Sequence, residues 1–355
     1  MPGGRWWRTA VDIAPRTRRL RRARTCFFLM RPATMNESTS VQAAPRAAPT
    51  HVNAAEGVTI HPTGAAVGAE IRGVDLSRPV PEDTRALLRQ AWADHCVLLW
   101  RGQSLPGTSF LDAASIFGET KEPAARKFQV AGGFVVGGTR IAVDPRISLI
   151  SNLDEVGNPV MDNGTLGSYE VVWHSDNSYA DVPPAGSMLY SVRLPVEGGG
   201  DTWFNNQYLA YEELPEDLKQ AIAGRSQLHD ASRNSAGILR PTVKLPTRPE
   251  EVPGPVHPLV RVHPVTGRRA LYLGRRREWP SNYILGMSNE ESERLLDRLW
   301  DHATQPKYAW CHKWQLGDVV LWDNRCTMHY RGEVDPTQAR VLYRTVIRGE
   351  PVIAG

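Results

Sequence analysis

The chain has 355 residues, 41% of them apolar and 23% charged. That balance suits a soluble globular protein of one large domain or two small ones, and it excludes disorder throughout, a collagen-like fibre and a disulfide scaffold. The longest apolar runs, Cys26–Met30 and Cys96–Trp100, are five residues each, far short of the roughly 20 needed to cross a bilayer. Four cysteines without a C-x-x-C pair argue against a zinc site and a disulfide framework and fit a reducing cytoplasm.

The net charge of +4 is unevenly placed. Residues 1–34 hold nine Arg and one acid, Asp12, and so carry +8, whereas residues 35–355 hold 33 basic and 37 acidic side chains and carry −4. The basic character belongs to a tail, and the acidic body speaks against nucleic acid as a partner. Cys26–Met30, followed by Arg31 and Pro32, is shorter than the apolar stretch of about 7–15 residues in a secretory signal. An Arg-rich transit peptide and a nucleic-acid arm share this composition; the reading preferred is translation upstream of a start at Met35. Val41–Ala55 is Ala/Pro-rich and has little to pack. The expected organisation is a disordered tail over residues 1–55 and a single domain over residues 56–355.

In chain order, strand-like runs are Val58–His61, Val97–Trp100, Leu189–Arg193, Ala270–Leu273, Val319–Trp322 and Val341–Ile347. Between them, Pro81–Asp94 carries Leu87, Leu88, Ala91 and Trp92 at one-face helical spacing. Ser288 and Glu291 form a capping box ahead of Leu295, Leu296, Leu299 and Trp300. Short strands in irregular order with frequent Gly and Pro predict a β-rich α+β barrel or sandwich with helices outside, rather than repeated βαβ units.

Among ten histidines, only His174 is followed two residues later by Asp, in Val171-Val172-Trp173-His174-Ser175-Asp176. On a strand, i and i+2 face the same way, so imidazole and carboxylate would converge on one metal while Ser175 points away. A 2-His-1-carboxylate triad on Fe(II) needs one more imidazole and leaves coordination positions open. His329 is the candidate. Taken singly, H-x-D also fits a solvent-facing strand pair. Downstream, Arg340 and Arg344 lie four apart in an apolar run, which places both guanidiniums on one strand face roughly 13 Å apart, suited to two different anions. A half-exposed edge strand would carry the same pattern.

Together, Trp173-His174-Ser175-Asp176, Gly199-Gly200-Asp201-Thr202-Trp203 and Gly317-Asp318 through Trp322-Asp323-Asn324-Arg325 to His329, with arginines 11 and 15 residues further on, resemble the taurine dioxygenase family, which includes the 2,4-dichlorophenoxyacetate dioxygenases. The likeness runs from about Val58 to Pro351.

It implies a double-stranded β-helix (jelly-roll) core with flanking helices and Fe(II) on His174, Asp176 and His329. It also implies 2-oxoglutarate held by Arg340 with help from Thr202, and the anionic group of the primary substrate on Arg344. Trp322 would line the metal pocket, or serve as a core aromatic. Ser178 and Tyr179 are further pocket candidates. The implied reaction uses O2 and 2-oxoglutarate to hydroxylate a small anionic organic substrate, taurine or alkylsulfonate-like, releasing succinate and CO2.

Where the taurine enzymes carry Asn four residues before the proximal His, this chain has Glu170. A carboxylate there would either repel a sulfonate and receive an ammonium or face solvent, and an aryloxyalkanoate, an alkyl sulfate or an amino-acid-like zwitterion stays open as substrate. A metal-binding β-barrel without catalysis is the reading of another class. The enzyme is expected to be a cytoplasmic homo-oligomer.

Overall fold

The computed structural model describes residues 57–277 and 279–355, so the expectations placed on the basic tail and on Met35 lie outside the described residues. Two antiparallel-dominated sheets form the frame. The larger runs in the order Thr59–Pro62, Ala69–Arg72, Val97–Trp100, Val319–Asp323, Gly186–Arg193, Val341–Ile347 and Thr120–Lys121, with Ser148–Ser151 also paired to Val341–Ile347. Its one parallel pairing joins Ala69–Arg72 to Val97–Trp100. The smaller has the order Ala309–His312, Thr202–Asn206, Thr327–Arg331, Val171–His174.

Two central strands of the larger sheet, at Val97–Trp100 and Val319–Trp322, read as unbroken apolar runs because both of their faces are covered. In Val97–Trp100, Leu98 and Trp100 join one core cluster while Val97 and Leu99 join another. The neighbouring strand repeats the alternation, with Val319 and Leu321 on the first side and Val320 and Trp322 on the second. The first side packs on the helices Glu82–His95 and Ser109–Ser115 through Leu88, Trp92 and Phe110. The second shares its cluster with Phe204 of the smaller sheet. Gly186 permits this packing, since a Cβ there would stand 2.6 Å from the Trp92 ring.

Behind the smaller sheet, the helix Asn289–Ala303 begins at the expected capping box: Ser288 Oγ accepts from the Glu291 amide and Glu291 accepts from the Ser288 amide at 3.0 Å. Leu295, Leu296, Leu299 and Trp300 are buried as the spacing predicts, in a cluster that includes Met328 of the sheet. The expected strand Ala270–Leu273 is shorter and displaced, Arg269–Leu271. No helix among the described residues is long and apolar enough to cross a membrane.

Candidate active site

The smaller sheet sets His174 and His329 opposite each other in register, and their rings lie 4.1 Å apart. Asp176 arrives differently from the sequence expectation. The strand Val171–His174 ends at His174, and Asn177, just past Asp176, has φ 50°, a conformation Asn tolerates better than most residues. The H-x-D pair therefore meets through a turn and not through the pleat of one strand. Ser175 does point away, donating to the Thr327 carbonyl at 2.9 Å.

Asp176 Oδ1 lies 3.6 Å from His174 Nε2 and 4.0 Å from His329 Nε2. Its Oδ2 accepts from Ser187 Oγ at 2.8 Å, and Arg344 Nη1 reaches both oxygens at 3.0 and 3.1 Å. Asn324 of the W-D-N-R segment braces this arrangement: it accepts from the Asp176 amide and from Trp322 Nε1 and donates to Ser187 Oγ.

Burial opposes ionisation of Asp176, but Arg344 and the two imidazoles outweigh it and hold the carboxyl well below its ordinary range. Burial pulls His174 down to about 4, with Arg275 adding to the effect, and pulls His329 well below its ordinary value. Both rings are neutral at neutral pH and keep a lone pair for a metal. The Val172 carbonyl can only accept, so His174 Nδ1, 2.7 Å away, carries the proton and Nε2 is the free donor atom toward Asp176. Two neutral imidazoles and one carboxylate, all buried with donor atoms within 4.8 Å of one another, suit Fe(II) with open positions. His263, Asp323 and Cys326 also cluster, but Arg325 already occupies both Asp323 oxygens at 2.9 and 2.7 Å.

An inner cavity brings together the three triad residues with Thr202, Trp322, Arg331, Arg340 and Arg344. Arg340 directly precedes the strand Val341–Ile347 and is 2% exposed. Its Nη2 donates to the Gly200 carbonyl at 3.1 Å, and its Nε has no partner among the described residues. Burial, then Arg331, lowers the pKa of this guanidinium, so a carboxylate at this position would relieve an energetically costly charge. Thr202 Oγ1 accepts from Trp314 Nε1 at 3.0 Å. Trp322 is fully buried with its ring 4.8 Å from that of His329.

Arg344, Asp176 and Ser235 also line an outer chamber. Its wall is mostly apolar, including Phe128, Phe134, Leu149 and Ile238, and it contains Tyr179. Ser178 is buried and is not among the residues lining either cavity. Glu170 lies just before the strand Val171–His174, is exposed and is likewise absent from both linings, so neither cavity sets it against a substrate's ammonium.

Sequence reasoning missed Arg331, Ser235, Arg275 and Arg240. Ser235 Oγ sits 3.3 Å from His174 Nε2 and receives Arg275 Nη2 at 2.8 Å. These groups come largely from irregular segments whose order carries no periodic signal.

The family model for taurine catabolism dioxygenase TauD, TfdA family, matches residues 59–346. The chain belongs to this family. A (S)-phenoxypropionate/alpha-ketoglutarate-dioxygenase of Delftia acidovorans is 30% identical over 302 residues, covering 83% of this chain and 97% of that protein. An alpha-ketoglutarate-dependent sulfate ester dioxygenase of Pseudomonas putida is 33% identical over 299 residues, covering 82% and 89%. A crystal structure of a taurine dioxygenase from Burkholderia xenovorans superposes with a TM-score of 0.64 at 32% identity, covering 84% and 93%. That of AAD-2 with Mn(II) and N-oxalylglycine gives 0.71 at 27%, covering 84% and 100%. As a member of the TauD/TfdA family the chain is a 2-oxoglutarate-dependent dioxygenase that uses Fe(II) and O2, which sets aside the non-catalytic barrel.

Proposed function

We propose that His174, Asp176 and His329 hold Fe(II), that Arg340 and Thr202 receive the distal carboxylate of 2-oxoglutarate, and that Arg344 orients an anionic primary substrate whose apolar body occupies the outer chamber. On this reading the two facing sheets are the jelly-roll core. With O2, the bound Fe(II) and 2-oxoglutarate supply the oxidising chemistry, giving succinate, CO2 and a hydroxylated substrate.

The chain's own residues do the rest. Arg340 provides a buried cation for the cosubstrate, Ser187 and Asn324 fix the Asp176 carboxylate, and Arg344 presents its guanidinium at the junction of the two cavities. Phe128, Phe134 and Leu149 exclude water from the path.

The observation that carries the reading is that Arg344 lines both cavities and touches Asp176. An anion held there has its neighbouring carbon beside the triad. Asp176 is the only carboxylate among the residues lining the outer chamber, and Arg344 already engages it, so the chamber supports an aryloxyalkanoate or alkyl sulfate over taurine or a zwitterion.

Anaerobic titration of the protein with Fe(II) and 2-oxoglutarate should develop a weak visible absorption band that is absent in His174→Ala, Asp176→Ala and His329→Ala. Candidate anions should then perturb the band, and substrate-dependent phenol or sulfite release separates an aryloxy acid from a sulfonate. A full band in any of the three variants, with iron content unchanged, would refute the triad.

A further inference from the structure

The outer chamber contains a second guanidinium that the reading above does not use. Arg240 lines it and is 6% exposed, with Cζ 4.2 Å from the Tyr179 ring centroid and 4.8 Å from that of Phe128. Tyr179 is fixed in turn, its hydroxyl donating to Asn177 Oδ1 at 2.8 Å beside Asp176.

Every other arginine lining these two cavities has an acceptor: Asp176 for Arg344, the Gly200 carbonyl for Arg340, the Gly167 and Tyr169 carbonyls for Arg331. The Arg240 side chain makes no hydrogen bond and no ion pair among the described residues, and its Nε is buried without a partner. The two rings offset part of the desolvation of the cation, but they accept none of its five in-plane N–H groups. Unpaired in-plane N–H groups on a planar guanidinium are what take a carboxylate or sulfonate in a fork.

We propose that Arg240 is a second anion-recognition residue of the primary-substrate site, and that the substrate class is a diacid: one acidic group on Arg344, an apolar body along the chamber, and a second acidic group on Arg240. This inference rests on the assignment of the substrate anion to Arg344.

The test uses the full chain with Fe(II) and saturating 2-oxoglutarate under anaerobic conditions. Binding of matched mono- and dicarboxylates (hexanoate and hexanedioate, octanoate and octanedioate, decanoate and decanedioate) is measured by calorimetry. At one chain length the diacid is expected to bind about 30-fold more tightly than its monoacid, the size of a buried charge-assisted contact. Arg240→Met should abolish that excess and leave the monoacid within about 3-fold, and Arg240→Lys, which keeps the charge without the fork, should restore part of it. Arg344→Met should weaken both members of the pair. Absence of a diacid preference at every length, or a preference that survives Arg240→Met, overturns the inference while leaving Arg344 in place. Unchanged monoacid binding in Arg344→Met would instead overturn the assignment beneath it.

Discussion

Replacing Arg340 by Met separates a residue kept for ligand binding from one kept for stability. Arg340 is 2% exposed, has one backbone acceptor for its guanidinium and lies beside a second buried cation, Arg331. Without 2-oxoglutarate the charge is desolvated with little return, so a methionine of similar length should leave the protein as stable or raise its stability by about 1–4 kcal/mol.

With 2-oxoglutarate the balance inverts. Removing one partner of a buried charge pair costs about 2–5 kcal/mol, or roughly 30-fold to several thousand-fold in affinity. At a 2-oxoglutarate concentration of about 100 times its Kd the wild-type protein gains about 2.7 kcal/mol. For a domain of about 300 residues that is a Tm rise of roughly 4 °C. Anaerobic thermal denaturation with Fe(II), with and without 2-oxoglutarate, reads both effects. The wild type should show the rise; Arg340→Met at the same concentration should show almost none while matching or exceeding the wild-type Tm in its absence. A variant that is strongly destabilised without ligand, or that keeps its 2-oxoglutarate affinity within about 3-fold, refutes the reasoning.

Gly200 has φ +67°, and a Cβ there would stand 2.7 Å from Arg340 Nε and 2.8 Å from Val334 Cγ2. Gly200→Ala should therefore displace the guanidinium and weaken 2-oxoglutarate at least about 10-fold by calorimetry. Arg325→Met should cost about 3–5 kcal/mol in urea denaturation, because it strips a bidentate partner from buried Asp323. Burial opposes Asp323 ionisation, yet Arg325 and His263 hold its pKa well below the ordinary value. Its contribution is thus fully present above the unfolded pKa near 3.9 and lost as pH falls through the folded value, and the Met variant should lose this acid-limb dependence. Glu170→Gln should leave kcat/KM within about 2-fold on whichever anion is turned over, as befits an exposed side chain outside both cavities.

Much of this arrangement was legible in the sequence, for identifiable reasons. Val97–Trp100 and Val341–Ile347 are strands over the very residues their apolar runs predict; the first is covered on both faces and wholly apolar, whereas the second interrupts its run with Arg344 where it faces the cavities. The capping box at Ser288 carried its own hydrogen-bond logic. His174, Asp176 and His329 stood out by joint spacing, although Asp176 reaches the cluster by a turn that period-two reasoning does not foresee. Whether Glu170 faces a substrate or solvent stayed open in the sequence, because a position four residues upstream of a strand-borne residue does not reveal which way the chain enters. Arg240 and Ser235 were invisible: they sit in the irregular stretch between Ser226–Leu228 and Pro249–Glu251, where burial is imposed by distant partners, Phe128 among them, and leaves no local pattern.

The two kinds of wall around the chemistry have different freedoms. His174, His329 and Thr202 ride on one hydrogen-bonded ladder in which each strand's register is fixed by its neighbours, so an insertion there would slide these side chains together. Phe134, Thr165, Ile238 and Arg240 come from connecting segments, which can lengthen or change residue without moving a ladder. Laboratory selection for a new substrate should therefore accumulate its changes in residues 132–134, 164–166 and 234–241, retuning length and charge of the chamber while the ladder bearing His174 and His329 is inherited intact.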